Sequence, residues 1–227
     1  MCDGMQLGAA YHEAGHAVAS TILGRGVRSV SIVGDGESGG RVINHRRGGK
    51  WIDRLEEADY ASSWGGFIDG GTRRTVEVEI MILLAGGLVQ MEALSVEHHE
   101  VGMGLERLSA EESASMARKY GGDESEWQNL VIGGDYRQAM ELALKVSGSD
   151  EEASAYLGWL EQRTRNLIRR FDFWPSVEVV AQELREKSEL SGRTIKEIVR
   201  AVQTARSKEA LSGVQRRAKG EQADARL

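Results

Sequence analysis

Residues 5–23 read Met-Gln-Leu-Gly-Ala-Ala-Tyr-His-Glu-Ala-Gly-His-Ala-Val-Ala-Ser-Thr-Ile-Leu and carry two patterns at once. Leu7, Ala10, Ala14, Val18 and Ile22 return at steps of three and four, the period of an amphipathic helix. On that helix His12 and His16 stand one turn apart on the same face, so both imidazoles can reach one metal ion. Glu13 lies about 100° round the helix from His12, too divergent for a ligand but well placed for a water beside the ion. Zinc lowers the pKa of such a water toward about 7, and a neighbouring glutamate can take its proton and pass it to a leaving amine. Glu13 is therefore the expected general base. Gly15 costs about 1 kcal/mol of helix propensity relative to alanine. It points to close packing, or to room near the ion. A lone histidine is ordinarily a plain helix residue, whereas the His-Glu-x-x-His pattern on a helix of this length is far more specific.

Gly24 and Gly26 end this helix. Residues 27–33 then alternate, with Val30 and Ile32 on one face, and predict a strand. Residues 35–40 are a turn, and Arg41-Val42-Ile43-Asn44 a second strand, giving a small β-hairpin on the first helix. Residues 46–72 are glycine-rich, with Trp51 and Trp64 as loop-packing or core residues. Residues 73–94 predict a buried helix interrupted at Gly86-Gly87. A loop over 95–108 and a polar helix over 110–119 follow. Further helices are expected over 136–146, 151–171 and 176–187, with a break near Asp172-Phe173-Trp174-Pro175. A last helix runs from Ser191-Gly192-Arg193-Thr194 to about Thr204. Beyond Arg206 the chain is polar, partly basic and poor in large apolar residues, so a disordered tail is expected over 206–227.

The 227 residues suffice for one substantial core, and 41% hydrophobic with 28% charged residues is ordinary for a globular protein. A net charge of −6 argues against a dominant nucleic-acid surface. The single cysteine, Cys2, excludes an internal disulfide framework and leaves any metal site to histidine and carboxylate ligands. No run approaches the length of a spanning helix, and the N-terminus lacks a basic, then apolar leader, so a cytoplasmic location is expected.

Zinc needs a third protein ligand. His45, His98, His99 and acidic residues at helix starts are the candidates. His98-His99 lies between Glu97 and Glu100 in a stretch that reads as a solvated loop. Asp135 follows Gly133-Gly134 at a helix start, where spacing alone serves an N-cap as well as a ligand.

Tyr11-His12-Glu13-Ala14-Gly15-His16-Ala17 resembles the zinc helix of the peptidase domain of FtsH-type ATP-dependent zinc proteases. The hairpin over 27–43 is similar to that family's, whose edge strand lines the substrate cleft. Leu84-Ala85-Gly86-Gly87 with Glu92, Gly133-Gly134-Asp135 and Leu190-Ser191-Gly192 resemble further family segments, so the likeness spans about residues 8–203. It implies a mainly α fold with minor α+β character, a peptidase domain over 1–205, and hydrolysis of peptide bonds. His12, His16 and Asp135 would be the zinc ligands, with Asp123 as the fallback for the third, and Glu13 the base. Arg41, Val42 and Ile43 would bind substrate. The chain departs from the family at Leu88, where an arginine is expected, and at Met91, where the first of two glutamates is expected. Its 227 residues include no Gly-x-x-x-x-Gly-Lys-Ser/Thr loop, and no membrane segment is expected ahead of the zinc helix.

The expected function is thus a free-standing zinc metalloendopeptidase that cuts unfolded or extended protein segments, with an ATPase in trans as an open question. The alternative is a catalytically weakened metal-binding scaffold or regulatory protein of the same fold. An interaction surface on the C-terminal helices and tail, with Arg206, Lys208, Arg216, Arg217 and Lys219, is the remaining class; such a charge run is ordinarily a solvated face, and no nucleic acid is expected.

Overall fold

A computed structural model of the chain describes residues 3–33, 40–44, 68–97 and 134–224. Within them the protein is mainly helical, with a small antiparallel sheet. The elements are α1 (Asp3–Ile22), β1 (Val27–Ser31), β2 (Arg41–Asn44), α2 (Gly70–Glu97), α3 (Gly134–Lys145), α4 (Asp150–Ile168), α5 (Phe173–Lys187), β3 (Glu189–Ser191) and α6 (Gly192–Asp224). The expected features at His45, Trp51, Trp64, His98, His99, the 110–119 helix and Asp123 fall outside the described residues.

The apolar stripe of α1 is built from small residues: Ala10, Ala14, Ala17, Val18 and Ala19 are all fully buried. Short side chains let α2 come close. At the crossing, a Cβ on Gly15 would stand 2.8 Å from Ala85 O and 3.1 Å from Gly86 Cα, so the two helices meet nearly backbone to backbone. Close packing is thus the reason for this glycine. Gly24 ends α1 with φ +85°, and Arg25 N–H donates back to Ser20 O at 2.7 Å.

Helix α2 occupies the centre. Val76, Val78, Ile80, Met81, Ile82, Leu84, Ala85, Leu88 and Val89 are buried, which wraps apolar surface around the whole cylinder and lets α1, α3 and α4 pack on it. The expected interruption at Gly86-Gly87 does not occur. The helix runs through both glycines, because burial on several sides outweighs their propensity cost. Asp69 starts α2 by accepting from Thr72 N–H at 3.2 Å.

The hairpin is present, but it is part of a three-stranded sheet of order β2-β1-β3. Val30, fully buried, pairs with Val42 on one side and Leu190 on the other. Helix α5 starts at Phe173, earlier than expected, since Pro175 sits in its first turn, where no helical N–H is missed. Ser188 closes α5 in the left-handed region (φ 60°) and its carbonyl accepts from Ile32 N–H, which feeds the chain into β3. Buried Asp172 ties the start of α5 to Gln203 of α6 (2.9 Å) and to Arg170 (2.9 Å). Helix α6 continues past the expected end at Thr204 to Asp224, through residues rich in Ala, Glu, Lys, Arg and Gln, all good helix formers. Among the described residues no helix is long and apolar enough to cross a membrane.

Gly192 joins the sheet to α6. A Cβ there would overlap the backbone carbonyl of Val27, an atom fixed within the sheet. Gly192→Ala should therefore destabilise the fold by about 1–3 kcal/mol, as overpacking does elsewhere. Urea unfolding measures it, and an unchanged midpoint would contradict the close contact of α6 with β1.

Candidate metal centre

Helix α1 sets His12 and His16 edge to face, with ring centroids 4.6 Å apart and planes at 81°. His16 is buried and its Nδ1 lies 2.8 Å from the backbone carbonyl of Ile82 in α2. Gly86 makes that approach feasible, since a Cβ there would overlap the imidazole. His12 Nδ1 lies 3.0 Å from Gln90 Oε1, one turn further along α2. His16 Nδ1 faces a carbonyl and His12 Nδ1 the Gln90 amide oxygen; with the ring protons on these nitrogens, a lone pair is left on each Nε2 for a metal.

Those two Nε2 atoms point at each other across 3.0 Å. Asp135 Oδ2 completes a triangle with them, 2.9 Å from His12 and 3.1 Å from His16. Asp135 is in the first turn of α3, which packs on α2, so its carboxylate is turned to the histidines rather than used as the cap of its own helix. Three electron-pair donors at this spacing repel one another unless a positive charge lies among them. A tetrahedral ion with bonds of about 2.0–2.1 Å sets neighbouring donors about 3.3 Å apart, so the triangle fits such an ion. His12, His16 and Asp135 form a group that could hold a metal.

The protonation preferences carry the same message. Burial pushes Asp135 up, but its hydrogen bonds with His12 and His16 outweigh this and hold the carboxyl well below the usual carboxylate range. Burial opposes charge on His16, yet the hydrogen bond and charge of Asp135 and the charge of Glu13 raise its pKa above the ordinary imidazole value. Asp135 and Glu13 thus favour a positive charge at His16 when no metal is present.

Glu13 is buried on the adjoining face of α1. Burial raises its pKa, against the opposing charges of His16 and His12 and with a smaller push from Asp135. Its carboxylate lies on the backbone of Gly40, where a Cβ would come 2.7 Å from Oε1. Gly40 directly precedes β2, so the expected base stands beside the strand bearing Arg41, Val42 and Ile43. Arg41 and Ile43 are exposed and Val42 is half-buried, and among the described residues no strand pairs with the outer edge of β2.

Three residues acquire roles that sequence reasoning missed. Gly40 reads locally as turn, Gly86 as a break, and Gln90 as one polar residue of a helix. Their partners lie 27 to 78 positions away, and only glycine in a buried helix was a usable signal. At the two departures from the family pattern, Leu88 is buried in the core, and Met91 is exposed, as is Glu92. From this helix it is Gln90 that reaches the cluster.

The sequence matches no protein-family model, and no curated protein matches it.

Two outcomes follow from this geometry. Gly86→Ala should displace His16 and weaken metal binding by about 10–100-fold or more. Gly87→Ala, with nothing within 4 Å of the added carbon, should leave binding unchanged and stabilise the helix by about 1 kcal/mol. Metal titration of the pair checks this. The second concerns pH. A raised His16 contributes stability that is fully present below about pH 6.5, its ordinary value, and is lost as pH climbs through its folded value. In chelator the unfolding midpoint should therefore fall as pH rises from about 6.5, and Asp135→Asn should flatten that decline. A profile identical in the two proteins would remove Asp135 as its source.

Proposed function

We propose that this chain is a zinc-dependent metalloendopeptidase of the kind its zinc helix resembles, the peptidase domain of FtsH-type proteases. One observation carries the reading: the Nε2 atoms of His12 and His16 converge with Asp135 Oδ2 at 2.9 to 3.1 Å, and Glu13 follows His12 in sequence with its carboxylate buried beside them. Two neutral imidazoles and a carboxylate suit zinc better than the oxygen-seeking cations, and three protein ligands would leave a position open.

When bound, zinc would supply Lewis-acid polarisation of the scissile carbonyl and acidify the attacking water. The remaining work belongs to the chain. Ile82 O and Gln90 Oε1 hold the two imidazoles with their lone pairs inward. Asp135 neutralises part of the ionic charge. Glu13 takes the proton of the attacking water and delivers it to the leaving amine, a role that a raised carboxyl pKa favours because it makes Glu13 a better base. An extended substrate segment adds to the outer edge of β2 through its backbone, and Arg41, Val42 and Ile43 meet its side chains. Edge pairing selects unfolded or extended segments, since a folded substrate has no free backbone to offer.

The second reading is a metal-binding scaffold without turnover. Met91, exposed where the family pattern has an acid, favours it. The buried Glu13 opposes it, because a carboxylate held out of water costs stability that a scaffold has no reason to bear.

Purified protein should carry about one zinc per chain, cleave unfolded casein, lose activity to chelator and regain it with zinc. Glu13→Gln should keep the zinc while lowering kcat by about 10²-fold or more. Full activity in Glu13→Gln would exclude Glu13 as base, and stoichiometric zinc without cleavage of any peptide library would favour the scaffold.

A further inference from the structure

The two histidines are oriented by unequal means. His16 Nδ1 meets a main-chain carbonyl locked into α2, which can only accept. His12 Nδ1 depends on a single side chain, Gln90, 78 residues away in sequence. An amide can present either its oxygen or its nitrogen, so its orientation and the tautomer of His12 are one variable. With Oε1 toward Nδ1, His12 keeps its lone pair on Nε2 and can ligate. With Nε2 of the amide toward Nδ1, the ring carries its proton on the other nitrogen, and that N–H points into the cluster, 3.0 Å from His16 Nε2 and 2.9 Å from Asp135 Oδ2.

The space around the amide is also tailored. Gln90 lies over Gly8 of α1: a Cβ at Gly8 would come 3.1 Å from the amide nitrogen and 3.8 Å from Leu94 Cδ1. Glycine at position 8 leaves the amide room to lie flat beside α1 and reach the ring one turn on.

We infer that Gln90 is a positioning residue of the metal centre, which sets His12 in its ligating tautomer and thereby tunes the affinity of the site. The inference rests on the reading of His12, His16 and Asp135 as metal ligands. Its consequence is a graded site. His16 and Asp135 are held whatever Gln90 does, while His12 is recruited through an amide.

The test uses the full chain and three variants. Gln90→Met keeps the length and apolar bulk of the side chain and removes the acceptor. Gln90→Glu keeps an acceptor that cannot turn donor. Gly8→Ala crowds the amide from α1 by a single carbon, whose nearest neighbours are Gln90 and Leu94. Zinc affinity is measured by competition with a chromophoric chelator, the imidazole nitrogens of the zinc-free protein are followed by ¹⁵N NMR, and thermal unfolding reports on the fold. Gln90→Met should weaken zinc by about 10–100-fold, the range for loss of such an orienting partner, and should move His12, but not His16, away from the Nδ1-protonated pattern. Gln90→Glu should restore both to at least the wild-type level, and Gly8→Ala should follow Gln90→Met in direction. Two results would overturn the inference: Gln90→Met with wild-type affinity and wild-type His12 nitrogens, or Gln90→Glu as weak as Gln90→Met, which would reduce Gln90 to packing. Should wild type and variants alike bind no zinc, the metal reading falls. The zinc-free nitrogen pattern would still decide Gln90, supporting it if His12 alone changes in Gln90→Met and overturning it if nothing does.

Discussion

Where α1 crosses α2, Gly15 lies against the backbone of Ala85 and Gly86 at a separation that leaves no room for a Cβ on Gly15. Every feature of the metal centre inherits its position from this contact. It brings the ring of His16 onto the carbonyl of Ile82 and puts Gln90 opposite His12. The same central helix then carries α3 on another face, from which Asp135 reaches the two rings. A wider crossing would lengthen the contacts of the two imidazoles with Ile82 O and Gln90 Oε1, and with them the hold on where the rings point.

Electrostatics explains why such a crossing is tolerated in a folded chain. Two imidazoles, Asp135 and Glu13 share a largely buried volume, and burial works against charge on each of the ionisable groups whose preference is resolved there. The cluster answers by pairing: Asp135 stays ionised beside the two imidazoles, and His16 holds a proton more firmly because Asp135 and Glu13 face it. A buried pocket whose carboxylates favour a positive charge at His16 is one that a cation can enter by displacing a proton. Glu13 differs from its neighbours, since its preference is shifted up by burial rather than down by a partner, and that difference separates a proton carrier from a ligand.

Much of this was legible in residues 5–23, because helical period and metal chemistry are both local: His12 and His16 four apart, Glu13 between them, and small residues on the buried face. The strands expected over 27–33 and 41–44 were equally visible through alternation and β-branching, the first forming over Val27–Ser31. What escaped detection depends on distant partners. Glu189-Leu190-Ser191 has one apolar residue and becomes a strand only because Val30 offers it an edge. Gly86-Gly87 carries the local mark of a helix break, and tertiary burial overrules it. Asp135 was balanced between cap and ligand, and only convergence with His12 and His16 tips it away from the cap. Gln90 had no local mark at all. A hydrogen bond across 78 residues leaves no periodicity to read.

Glycine is the residue through which the fold and the centre trade against each other. Gly8, Gly15, Gly40 and Gly86 each stand where a Cβ would press on Gln90, the α2 backbone, Glu13 or His16 respectively. In a helix each glycine gives up about 1 kcal/mol relative to alanine, and the three in α1 and α2 do so in the two helices that make the main crossing. Gly87 sits beside Gly86 with open space around it and lacks this excuse. A chain selected for helix stability alone would have replaced all of them. The positions that resist replacement outline the metal centre from outside, contact by contact: His16 through Gly86, Glu13 through Gly40, and His12 through Gly8 and Gln90.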